Sequence, residues 1–146
     1  RAKPDKTPLR GVPRFERQPG EGVSCDLDRA WEAVHWLLTG IRSGPPFNTL
    51  LEGGERLRGA ALGMGDVRVI PSAAVKAFAD VLDRVDREVV RSRCNAAAFE
   101  DAGVELVKRS GKGAEAARYV MSYYDDLREF VTGCRHLGLG MVVYLT

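Results

Sequence analysis

Apolar positions recur at helical spacing through most of this chain. Between Cys25 and Gly40, the residues Leu27, Trp31, Val34 and Leu38 fall on one helical face. Asp26 or Asp28 supplies an N-cap, and Gly40 supplies the C-terminal stop. Asp28, Glu32, His35 and Thr39 run along one edge of that face, while Trp36 lies nearly opposite with Arg29. A large aromatic in that position means that the helix is covered on two sides or that Trp36 lines a groove.

Residues 41–66 carry Gly44, Pro45, Pro46, Gly53, Gly54, Gly59, Gly63 and Gly65, which predicts loops with a short strand near Thr49–Leu51. Val67–Ile70 reads as a strand that Pro71 ends. Ser72 then caps a long helix whose buried stripe is Val75, Phe78, Ala79, Leu82, Val85 and Val89. Lys76–Asp80, Asp80–Arg84 and Asp83–Arg87 form i,i+4 pairs on its solvated side. Asn95 caps a shorter helix over Ala96–Phe99, which resumes toward Lys108. Gly111 and Gly113 break the chain before a third long helix, with Val120, Tyr124, Leu127, Val131 and Cys134 on its core face. Gly138 and Gly140 separate that helix from a strand over Met141–Leu145. Helices outnumber short strands. The expected fold is α+β, a single compact domain with three or more helices packed on a small sheet.

Composition changes this picture only at the N-terminus. At 146 residues, with 45% hydrophobic and 29% charged positions, the chain suits one domain with a real core. Arg1, Lys3, Lys6, Arg10, Arg14 and Arg17 crowd the first positions among Pro4, Pro8 and Pro13. Residues 1–23 therefore read as a basic arm, and residues 24–146 as the domain. A net charge of +2 argues against nucleic acid as the main partner. No apolar run approaches the ~20 residues of a membrane span, and no signal-peptide pattern is visible. Cys25, Cys94 and Cys134 are odd in number and widely spaced, which points to reduced thiols and a cytoplasmic location.

The block Asp26-Leu27-Asp28-Arg29-Ala30-Trp31, followed by His35-Trp36-Leu37-Leu38-Thr39-Gly40, resembles the YfbM-like family of small bacterial proteins. The resemblance continues at Gly53-Gly54-Glu55, at Gly63-Met64-Gly65-Asp66-Val67-Arg68, and in the Tyr123-Tyr124 helix with its following apolar strand. It covers roughly residues 24–146. Members often carry a second His where this chain has Glu32, and Tyr and Pro where it has Met64 and Asp66. Their strand-like N-terminal start is not recognisable in residues 1–23, which would leave a sheet edge open. The resemblance implies a compact α+β cytoplasmic protein of unknown function, with no cofactor and no agreed reaction.

For chemistry, His35 is the leading catalytic candidate, with Asp28 or Glu32 to orient its imidazole. The plainer reading makes His35 a half-buried helix residue satisfied by a carbonyl or carboxylate. No nucleophile is tied to it by spacing. Two His residues and no Cys pair give no zinc spacing, although Asp26, Asp28, Glu32 or Glu55 suit a hard cation; no metal is expected. The glycine motifs read as tight turns rather than phosphate cradles. Arg68 can grip a carboxylate or phosphate, or pin its loop by pairing with Glu55 or Asp66. Trp36 and Tyr123 lie off the core stripes and suit a groove for a partner or ligand, whereas Trp31 and Tyr124 suit packing.

Three function classes remain. The favoured one is a non-catalytic module that binds an unidentified protein partner, of accessory or immunity type. The second is a small hydrolase that uses His35 with a carboxylate and Arg68, which convergence of His35, Glu55 and Arg68 in one pocket would favour. The third is a nucleic-acid accessory protein that uses the basic arm.

Overall fold

The computed structural model describes residues 24–27, 30–40, 53–61, 66–104 and 113–144. In chain order its elements are α1 (Trp31–Thr39), β1 (Glu55–Ala61), β2 (Asp66–Ile70), α2 (Ser72–Arg84), α3 (Arg87–Arg93), α4 (Ala96–Asp101), α5 (Ala114–Leu137) and β3 (Met141–Val143). This is the expected α+β domain: helices gathered over a small antiparallel sheet of order β1-β2-β3.

Helix α5 is the longest element, at 24 residues or about 36 Å. Its expected stripe of Val120, Tyr124, Leu127, Val131 and Cys134 is buried throughout. Helices α1, α2 and α4 pack on it. From α1 come Ala33, Val34, Leu37 and Leu38; from α2 come Val75, Phe78, Ala79 and Leu82; Phe99 comes from α4. The sheet joins this core through Ile70 and Met141, cross-strand partners on one face. Between α2 and α5, Arg135 donates to both Asp80 at 2.9 Å and Asp83 at 2.7 Å. Those acids were expected to pair along their own helix. They turn instead to a cation on the neighbouring one.

Helix boundaries differ from expectation where capping decides them. α1 begins at Trp31, later than predicted, with Ala30 at the N-cap and no side chain capping it. Asp28 lies outside the described residues. At the other end, Gly40 adopts φ 72° and its N–H donates to the Trp36 carbonyl, the predicted stop. Ser72 is the first helical residue rather than the cap, a place that Pro71 takes. The predicted long helix from Ser72 breaks at Val85, which is extended. Asp86 then accepts from the Glu88 N–H and starts α3 as a separate helix, so Val89 is exposed rather than buried. Asn95 caps α4 as predicted, accepting from the Ala98 N–H at 2.8 Å. The short strand expected near Thr49–Leu51 lies outside the described residues.

Strand β1 was not expected. Residues 55–59 are exposed, so no alternation of apolar and polar positions marks it. Its entry depends on Gly54, at φ 76°. A Cβ there would stand 2.3 Å from the Val69 carbonyl oxygen. Among the described residues, no helix is long and apolar enough to cross a membrane.

Gly54→Ala is expected to cost about 2–4 kcal/mol, since it adds a backbone collision to an unfavourable φ. Gly138→Ala keeps a similar φ of 66° but meets open space, and should cost only about 1 kcal/mol. Urea unfolding of the two variants compares them directly. Equal losses would contradict the close approach at Gly54.

Candidate functional site

The structure disperses the residues that sequence singled out. His35 points into the helical core, with 1% of its surface exposed. The periodicity of α1 accounts for this: Val34, His35, Leu37 and Leu38 all lie on the side that faces α5 and α3. Glu32 is half-buried in the first turn of the same helix. Thr39 donates its hydroxyl to the His35 carbonyl at 2.9 Å, a local bond that holds the last turn.

Glu55 and Arg68 leave opposite faces of the sheet. Glu55 stands across from Val69, whereas Arg68 stands across from Arg56 on one side and Val143 on the other. Glu55 is exposed and Arg68 half-buried. His35, Glu55 and Arg68 therefore do not converge: one lies in the helical core and the other two on different sides of the sheet.

Both off-stripe aromatics have ring partners. Trp36 meets Phe99 edge to face, with ring centroids 5.7 Å apart and planes at 71°. Tyr123 meets Tyr119 in the same manner at 4.9 Å and 67°. Both are half-buried and pack against the core. Beside Trp36, the C-terminal end of α1 is held by Arg93, whose Nη1 donates to the Leu37 carbonyl at 3.0 Å. That bond satisfies a terminal carbonyl and places a cation at the negative end of the helix.

An open groove of about 490 Å³ lies elsewhere, between the start of α3 and one edge of α5. Arg87, Asp125, Arg128, Glu129, Thr132, Gly133 and His136 line it. Arg87 grips Asp125 with two bonds, at 2.9 Å and 3.2 Å. The Asp125 carboxylate raises the Arg87 pKa above its ordinary value, first by hydrogen bonding and then by charge. Sequence reasoning missed this groove. Its α5 positions do recur at 125, 128, 129, 132 and 136, but such a polar edge reads as a solvated helix face.

The thiols are built for packing. Cys94 donates to the Ala117 carbonyl at 3.2 Å. Burial pushes both the Cys94 and the Cys134 thiols above their ordinary pKa, away from the thiolate that nucleophilic chemistry needs. Among the described residues, no group of three His, Cys, Asp or Glu side chains is placed to hold a metal ion.

A family model described as a domain of unknown function (DUF1877) matches residues 10–144, nearly the whole chain. The chain belongs to the DUF1877 family. No curated protein and no solved structure matches it. Membership of DUF1877 brings no activity with it, so function must be argued from the surfaces this fold leaves open.

Trp36 is the residue whose role changes most. The sequence pattern offers Trp36 either as an anchor in a groove, where Trp36→Ala would spare the fold, or as packing on a second covered side of α1. Its packing against Phe99 now predicts a loss of about 2 kcal/mol in urea unfolding, since the substitution empties part of the core's rim. A loss below about 0.5 kcal/mol, the scale of an ordinary surface substitution, would restore the groove anchor.

Proposed function

We propose that this DUF1877 protein is a non-catalytic protein-binding module, of accessory or immunity type and YfbM-like in kind. One observation carries the reading. Leu137, Leu139, Val142 and Tyr144 lie within one short stretch, and each has roughly half its surface exposed. Val142 is the most open at 57%, in a strand whose inward neighbour Met141 is buried. Exposed apolar side chains this close together favour contact with another protein surface.

The hydrolase alternative has less support. A catalytic imidazole must reach substrate, and His35 is sealed within the helical core. The nucleic-acid alternative rests on residues 1–23, outside the described residues. A cytoplasmic location remains part of the proposal.

Wild type and a Val142→Lys/Leu139→Ser variant should be used to isolate complexes from source-cell lysate, followed by native mass spectrometry. The reading expects one protein held at fixed stoichiometry by wild type, and lost in a variant whose melting temperature is unchanged. Retention of no protein would contradict it. So would a small molecule converted by wild type and left intact by His35→Ala.

A further inference from the structure

We propose that β3 pairs edge to edge with β3 of a second copy of this chain, joining two three-stranded sheets into one antiparallel sheet. The inference rests on one part of the reading above, that this surface meets protein, and it names the occupant of the strand edge.

The two edges of the sheet are built differently. β1, at one edge, carries Glu55, Arg56 and Arg58, and its register with β2 is interrupted between Arg56 and Ala61. Charged side chains and broken register are devices that stop an edge from pairing with other chains. β3, at the other edge, has neither. Its register with β2 runs without interruption through Arg68–Val143, Val69–Val142 and Ile70–Met141. From Leu137 to Thr146 the sequence holds no charged residue, no histidine and no proline. Among the described residues, β2 is the only strand paired with β3. The outer row of N–H and C=O groups on β3 is a template for another strand.

Charge decides which strand. An uncharged segment gives a charged partner nothing to grip, and it meets no repulsion from its own copy. A two-fold axis at Val142 makes the pairing antiparallel and self-complementary. Val142 then lies beside Val142 of the second copy, and Met141 lies opposite Val143. Val142 is 57% exposed, and its cross-strand partner Val69 is half-buried. Pairing extends that apolar row across the joint, from Val69 of one copy to Val69 of the other. Leu139 and Tyr144, each with nearly half its surface open, flank the row. β3 is only three residues long, so few backbone bonds form and the dimer is weak.

The test is sedimentation velocity across a concentration series. Wild type should pass from monomer to dimer. Val142→Lys and Val142→Glu each place a charge at the joint, and each should raise the dimer dissociation constant at least about tenfold. Their melting temperatures should stay with wild type, because the position is exposed. Leu57→Lys adds a charge at an exposed apolar position on β1, and should change the constant by less than about twofold. An equimolar mixture of the Val142→Lys and Val142→Glu proteins should dimerise again, since the two-fold sets opposite charges side by side. A wild type that stays monomeric overturns the proposal, as does a dimer that Leu57→Lys weakens as much as Val142→Lys. A mixture that stays monomeric overturns the two-fold pairing at Val142. If a monomeric wild type captures a lysate protein that Val142→Lys/Leu139→Ser loses, this inference falls alone and the binding-module reading stands. A dimer that captures no other protein upholds the pairing and removes the accessory-partner reading.

Discussion

Burial of one long stripe on α5 is the constraint on which the rest of the fold depends. Val120, Tyr124, Leu127, Val131 and Cys134 give that helix more apolar surface than a single neighbour can cover. Helices α1, α2 and α4 all contribute to covering it, and Ile70 and Met141 bring the sheet to the same core. Tyr124 is the largest fully buried side chain. Among the described residues its hydroxyl has no hydrogen-bond partner. The ring therefore supplies the stabilisation, and the hydroxyl is carried at a cost.

This arrangement decides which surfaces are left over. Once α5 commits one side to the core, its opposite edge is free to line the groove with Arg128, Glu129 and His136. The sheet meets the helices through only some of its positions. Its remaining face carries Val69 and Val142 as cross-strand partners, and Val142 stays exposed. Helix α1 spends its most reactive side chain on packing, because His35 shares a face with Val34 and Leu38. His35 is thus drawn inward, while Leu139, Val142 and Tyr144 stay exposed.

Sequence periodicity reached the helical core more readily than the sheet or the site. The α5 stripe and the Asn95 cap were legible because each is a local pattern with a single physical meaning. The break at Val85 was not, since valine there extends an apolar stripe and only the Asp86 cap overrides it. Strand β1 was hidden because its exposed residues carry no alternation. Site geometry was least legible of all. Whether Glu55 meets Arg68, or Asp80 meets Arg135, depends on strand register and helix contact, which spacing along one element does not encode. The family match over residues 10–144 places the chain without supplying its chemistry.

The most direct test of this account is urea unfolding of Tyr124→Phe beside Tyr124→Ala. If ring burial on α5 organises the fold, Tyr124→Phe should match or exceed wild-type stability, by up to about 1 kcal/mol, and Tyr124→Ala should lose about 3–5 kcal/mol. A Tyr124→Phe variant weakened by more than about 1 kcal/mol would show that the hydroxyl has a partner that matters. A Tyr124→Ala variant within about 1 kcal/mol of wild type would contradict the central place given to α5.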